Sequence, residues 1–239
     1  MRQAWRVALR LILASGLLVA LAATVSTAPA PAPQLDFLSF AANLPPPVDR
    51  IEIRQAIAHA IDRRAVSGAL SGTTPAAGIN HPKLPGYNRQ VRDYAFDPAK
   101  AKALVGQVGW DPNSVLRIYV STGRAGPSWA GVREQVVAHI TAVGITAQFV
   151  AMSFDALTRL ITSGGGAMYL IGWASARSDF GYPYFSLGIA YDWKFKEGAD
   201  ALIQRFQQAG DAPVRERIAQ ELEQLLLDRA LIIPLVFRG

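Results

Sequence analysis

Cysteine is absent from the 239-residue chain. That excludes disulfide bonds, a thiol nucleophile and a lipid attached through an N-terminal cysteine, so the fold has to be held by its apolar core. Histidine is almost as scarce, with only His59, His81 and His139. His59 and Asp62 share a helix face, but two possible ligands without a third make a poor metal site, and His59 reads as a surface or partly buried helix residue. No G-x-S-x-G turn occurs. The Gly164-Gly165-Gly166 run follows a helix instead of opening one and has no phosphate-loop lysine, so it reads as a helix breaker. Glu221 and Glu223 lie on a helix whose other face is apolar, and a solvated face accounts for them. No catalytic residue, metal or cofactor is expected. A hydrolase built on His81 or His139 would need a nucleophile that the chain does not offer.

Dense clusters of one charge are missing too. The formal net charge is +6, but three of those charges are Arg2, Arg6 and Arg10, the only charged side chains before Asp36. The rest is spread thinly, and nucleic acid is not an expected partner. The positive start leads into an apolar stretch at 11–25 and then small residues, the anatomy of a secretory signal peptide. Pro29, Pro31 and Pro33 close it before the ~20 apolar residues of a membrane span, which leaves an uncleaved anchor as the second reading. Residues 1–27 are expected to be a signal peptide, 28–34 a Pro/Ala-rich leader, and 35–239 the folded unit, free in an extracytoplasmic space, most simply a periplasm. The mature start falls between Ala23 and Ala32.

Along the folded part, residues 35–40 alternate as a short strand. Ile57, Ile61 and Ala65 repeat every four residues and predict one amphipathic helix from Asp49 or Ile51 to Leu70. A polar, Pro/Gly-rich loop follows over 71–94. Asp97-Pro98 supplies an N-cap and a proline at the first helical position, with Ala101, Leu104, Val105 and Val108 on one face and Gly109 just past the end. Residues 116–121 and 146–152 read as strands. A helix capped by Ser128 lies between them, and one capped by Ser153 follows. The apolar run 168–171 is a third strand, so the region is a βαβαβ unit. Helices over 199–209 and 214–228 precede a last apolar strand, 232–237, whose Pro234 suggests a place near an edge or a strand start.

The stretch 168–186 stands out. Its strand stops at Gly172 and gives way to Trp173, Ser175, an Arg177/Asp179 pair and the aromatics Phe180, Tyr182, Tyr184 and Phe185. Loops after core strands sit at the mouth of an α/β sheet, where flat apolar walls with a few polar handles make a small-molecule pocket. The equal alternative is that these aromatics cap the core.

Several stretches, taken in order, resemble the extracytoplasmic solute-binding proteins of family 5, the dipeptide- and oligopeptide-binding components of ABC importers. They are I-R-Q-A-I-A-H-A-I-D-R from Ile53 to Arg63, Gly86-Tyr87 followed by F-D-P-A-K-A-K-A-L from Phe96 to Leu104, Val143-Gly144-Ile145, Gly172-Trp173, Asp200-Ala201-Leu202-Ile203 with Arg215 downstream, and Ile233-Pro234-Leu235. The resemblance implies an α/β fold, a mixed sheet with flanking helices, like one lobe of a type II periplasmic binding protein. It also implies a non-catalytic role in transport: a small polar solute such as a peptide, an ABC permease in the inner membrane, and either a single working lobe or a separate chain that supplies the other. Trp173 would wall the ligand, Ser175, Arg177 and Asp179 would offer polar contacts, and Tyr182 would line the edge. Ala176 stands where peptide binders of this family carry an aspartate for the ligand's amino terminus. The rival reading is a truncated, non-transporting remnant serving as a structural or interaction module.

Overall fold

The computed structural model describes residues 32–174 and 198–239. Strand β1 (Gln34–Phe40) runs through the middle of the sheet, and from Leu35 onward every one of its residues is buried. It pairs antiparallel with β5 (Met168–Ala174) on one side and β6 (Ile232–Arg238) on the other. Beyond β5 come β3 (Val115–Ser121) and then β4 (Thr146–Met152), and β3 is parallel to both β4 and β5. Beyond β6 lies β2 (Thr73–Pro75), so the order is β2-β6-β1-β5-β3-β4. The expected mixed sheet is thus present.

Its two faces carry two apolar clusters, as strand alternation requires. Leu38, Phe40, Leu116, Ile118, Val120, Met168 and Leu170 face one way, toward helices α1 (Ile51–Ala60), α2 (Arg63–Gly68), α3 (Pro98–Val108) and α5 (Ala130–Ala142). Leu35, Phe37, Tyr169 and Phe237 face the other, toward α6 (Phe154–Thr162), α7 (Ala199–Gln208) and α8 (Ala212–Asp228). Between β3 and α5 the chain makes a single turn, α4 (Thr122–Ala125), and a 3-10 turn, Pro127–Trp129. The second turn starts α5 at Ala130 without a side-chain cap, where a cap at Ser128 was expected.

Three further sequence expectations need correction. The helix expected to continue to Leu70 breaks at Ile61-Asp62, because the Asp62 carboxylate accepts from the backbone N–H groups of Arg64 at 2.9 Å and Ala65 at 3.3 Å and so starts a new helix. Strand β5 does not stop at Gly172 but continues through Trp173 to Ala174, paired with Leu35 and Gln34. Strand β6 lies one strand from the sheet edge, covered there by the three residues of β2, and Pro234 is its third residue, so the proline stands near an edge and near a strand start as expected. Its Pro234 is tolerated because β2 pairs only with Val236 to Arg238, and because the β1 register shifts between Asp36 and Phe37, beside the Phe37–Pro234 pair. Glu223 is buried, not solvated, and its Oε1 accepts from the backbone N–H of Ile79 at 2.6 Å and of Asn80 at 3.2 Å. That contact pins the polar, Pro/Gly-rich loop over 71–94 to α8.

Arg54 is buried as well. Its Nε donates to the Arg229 carbonyl at 3.1 Å and its Nη1 to the Val48 and Asp49 carbonyls at 3.1 and 2.7 Å. Burial pushes its pKa down to about 10, still charged at neutral pH. Among the described residues no helix is long and apolar enough to cross a membrane.

Candidate functional site

The parallel strands create a switch point. From β3 the chain crosses one face of the sheet through α5 to β4, then returns over the other face through α6 to β5, on the opposite side of β3. The carboxyl ends of β3 and β5 therefore lie side by side where the connections change face, the usual place for a ligand in an open α/β sheet. The amino end of β1 and the carboxyl end of β6 reach the same rim, where Gln34 pairs with both Ala174 and Arg238.

Trp173 sits at this rim. It pairs with Leu35, is half-buried, and packs against the cluster formed by Leu35, Phe37 and Tyr169. It is the one predicted ligand contact among the described residues. Ser175, Arg177, Asp179 and Tyr182 lie outside them.

On the opposite face of β5, at the same end, is a group that sequence reasoning missed. Asp36 is wholly buried, yet its carboxylate is met by two guanidinium groups. Arg124 donates to Oδ1 from Nη2 at 2.6 Å and from Nε at 3.2 Å, and Arg238 donates from Nε to Oδ2 at 2.6 Å and from Nη2 to Oδ1 at 3.2 Å. Gln34 Nε2 adds a bond to Oδ1 at 3.2 Å. Both guanidiniums also stack on Trp129, with Cζ 5.1 Å and 5.3 Å from the ring centroid. Arg133 holds the Arg124 turn by donating to the carbonyls of Arg124 and Gly126. Two cations against one anion leave the group with one net positive charge. Asp36 has no access to solvent, while the Arg124 and Arg238 side chains keep 20% and 33% of theirs, so the positive side faces outward.

This group also explains the glycine of the Gly172-Trp173 pair. A Cβ at Gly172 would land on the Arg124 guanidinium, the Asp36 carboxylate and the Gln34 amide. The bare backbone of β5 is the surface on which the ion pair rests, and the next residue, Trp173, turns to the other face. The only sequence signal for the group was a lone carboxylate, Asp36, set inside an apolar strand.

Two of the three histidines, His59 and His81, are held in place by local contacts. His59 Nδ1 lies 2.8 Å from the Ala95 carbonyl with its ring edge-on to Tyr94, and Asp62 serves as the cap of α2. His81 packs edge-on against Phe237, and its Nδ1 accepts from the Lys83 N–H at 3.1 Å. Burial, and then the neighbouring Lys83, push its pKa below the ordinary imidazole value. Among the described residues no three His, Cys, Asp or Glu side chains gather to hold a metal ion.

Comparison with known proteins places this geometry. The family model for bacterial extracellular solute-binding proteins, family 5 Middle, matches residues 13–194. The chain is 26% identical over 201 residues to the di/tripeptide-binding protein 2 of Pseudomonas aeruginosa, covering 79% of this chain and 38% of that protein. It is 25% identical over 197 residues to the dipeptide-binding protein of Escherichia coli, covering 77% and 37%. Among solved structures, HbpA2 from Haemophilus parasuis superposes with a TM-score of 0.76 at 23% identity, over 87% of this chain and 43% of that one. A dipeptide binding protein from a Pseudoalteromonas species, in complex with Met-Leu, gives 0.76 at 20% identity, over 88% and 43%. The chain therefore spans about two fifths of the length of these relatives, and its fold is that of a partial lobe of a periplasmic binding protein.

Proposed function

Because the chain belongs to the bacterial extracellular solute-binding proteins of family 5, we propose that it is the substrate-binding component of an ABC importer. In this reading it is exported to the periplasm, is not an enzyme, and holds a peptide or related small polar solute at the rim where β3 and β5 end. The observation that carries the reading is the coincidence of three things at one rim: the topological switch point, the half-exposed Trp173, and a preorganised cluster with one net positive charge.

Trp173 forms an apolar wall for the solute, and the outward edges of Arg124 and Arg238 favour one that carries an anionic group. Ser175, Arg177 and Asp179 add polar contacts and Tyr182 closes the edge. Since the chain spans about two fifths of its relatives, the presence of a second lobe decides how firmly the solute is gripped. With a second lobe present, closure is a population shift driven by contacts made only in the shut state. Delivery is then to a permease in the inner membrane.

The test is a thermal-shift screen of the exported protein against peptides, sugars and opines, alone and with any second-lobe chain encoded beside it. A rise in midpoint for a defined solute class, reduced in Trp173→Ala, supports the reading. A flat response in both settings overturns it.

A further inference from the structure

At the opposite end of the sheet from Trp173, the face of β3 that carries Val115, Arg117 and Tyr119 is open to solvent at its start. Val115 is 39% exposed there. A concavity of about 480 Å³ lies between these side chains and the Asn43-Leu44-Pro45 turn. That is within the range of small-molecule sites, ~300–1,000 Å³.

Three polar side chains converge on it without being used in the fold. Among the described residues the Arg117 guanidinium, the Tyr119 hydroxyl and the Asn43 carboxamide have no hydrogen-bond or ion-pair partner, and Arg117 stands opposite an exposed Gln148 on β4. Such groups on a strand usually splay into water one at a time, but here they share one hollow. Leu44, Pro45 and Val115 give that hollow an apolar wall, and the Tyr119 ring, tilted against Tyr169 at 6.3 Å between centroids, stands at the side. The floor is kept low by Gly166, whose φ of +79° suits glycine and where a Cβ would meet Tyr119 Cε2 at 2.8 Å. One cation, no carboxylate, two neutral hydrogen-bonding groups and an apolar wall are a match for one ligand chemistry.

We propose that this hollow is a second binding site, separate from the rim, for a small carboxylate or sulfonate anion that carries an apolar or aromatic body. Arg117 takes the anionic group, with its whole planar fork available for a bidentate contact. Asn43 and Tyr119 complete the anion's hydrogen bonds, and Leu44, Pro45 and Val115 cover the apolar body. The site stands on its own residues and does not depend on what the rim binds.

Benzoate is a suitable probe and benzamide its neutral match in shape. Titration of the full chain, followed by amide chemical shifts, is expected to give saturable benzoate binding with the largest shifts at Val115, Gly166 and Ala167. Benzamide should bind at least about tenfold more weakly, as should benzoate to Arg117→Gln, a loss of roughly 1.4 kcal/mol. Tyr119→Phe should weaken benzoate about threefold while leaving thermal stability near that of the parent. Trp173→Ala should leave benzoate affinity within about twofold, since the two sites lie at opposite ends of β5. Equal affinity for benzoate and benzamide, unchanged binding in Arg117→Gln, shifts centred on Gly172 and Arg124, or no saturation up to roughly 50 mM would each overturn the proposal.

Discussion

Removing the Asp36 carboxylate is the perturbation whose effect can be worked out most fully. The side chain is wholly buried and accepts bonds from Arg124, Arg238 and Gln34. Asp36→Ala leaves two guanidiniums beside each other with no anion between them. Breaking a buried ion pair by deleting one partner costs about 3–5 kcal/mol. The lower end applies here, because Arg124 and Arg238 keep 20% and 33% of their side-chain exposure and can recover some hydration. A loss of about 3 kcal/mol, at a urea slope of about 2 kcal/mol/M, moves the unfolding midpoint down by roughly 1.5 M. Asp36→Asn keeps one acceptor oxygen and should lose about half as much. A double-mutant cycle of Asp36→Ala with Arg124→Ala should show a coupling of about 1–3 kcal/mol, since each change removes the other's partner. The reasoning is refuted if Asp36→Ala costs under about 1 kcal/mol, or if the cycle is additive, because the carboxylate would then not be holding the guanidiniums.

Other outcomes follow from the same packing. Gly172→Ala places a methyl on that ion pair and should cost about 1–3 kcal/mol in denaturant unfolding, with the cost largely gone in an Asp36→Ala background. Arg54→Met leaves the carbonyls of Val48, Asp49 and Arg229 without their donor and should cost about 3–5 kcal/mol in the same assay, whereas an exposed arginine such as Arg64 should cost under about 0.5 kcal/mol. His81 has a folded-state pKa below the ordinary 6.5, so the unfolded chain takes up its proton first. The stability it contributes is full above that value and is lost as pH falls below it; protonating Nδ1 would also break its bond from the Lys83 N–H. A thermal midpoint followed from pH 7.5 to 5 should therefore fall less steeply in His81→Gln than in the parent, and parallel curves would remove His81 from the account.

How much of this was legible in advance varied with the range of the forces involved. Helix α3 was fully readable because its start and stop are local: Asp97 accepts from the Lys100 N–H at 2.9 Å, and Gly109 takes a φ of 74°. The alternation of Leu116, Ile118 and Val120 gave β3 its buried face directly. The break at Asp62 was hidden because Ile57, Ile61 and Ala65 keep a helical spacing across it, and Ile61 remains buried on either geometry. Pro234 placed β6 near the sheet edge and no more closely than that. Its place depends on where β2 ends, which only the assembled sheet decides.

Long-range polar partners were not legible at all. Arg124 and Arg238 lie 88 and 202 positions from Asp36, and no periodicity connects residues so far apart. Glu223 reaches the Ile79 and Asn80 amides from well over a hundred residues away, while the helical wheel offered only a solvated face. For Asp36 the sequence did hold a weak cue, a single carboxylate embedded among apolar neighbours, and burial turned it into a demand for partners. The family resemblance located the rim through Gly172-Trp173. The physics of the rim, a glycine kept bare by an ion pair and a tryptophan turned to the other face, came from the fold.

The central claim is that a solute is held at the carboxyl ends of β3 and β5 against Trp173. Its most direct measurement is a calorimetric titration of the solute found by screening into the parent, Trp173→Ala and Arg117→Gln. The account predicts a loss of affinity of about tenfold or more in Trp173→Ala and none in Arg117→Gln. Undiminished binding in Trp173→Ala would contradict it.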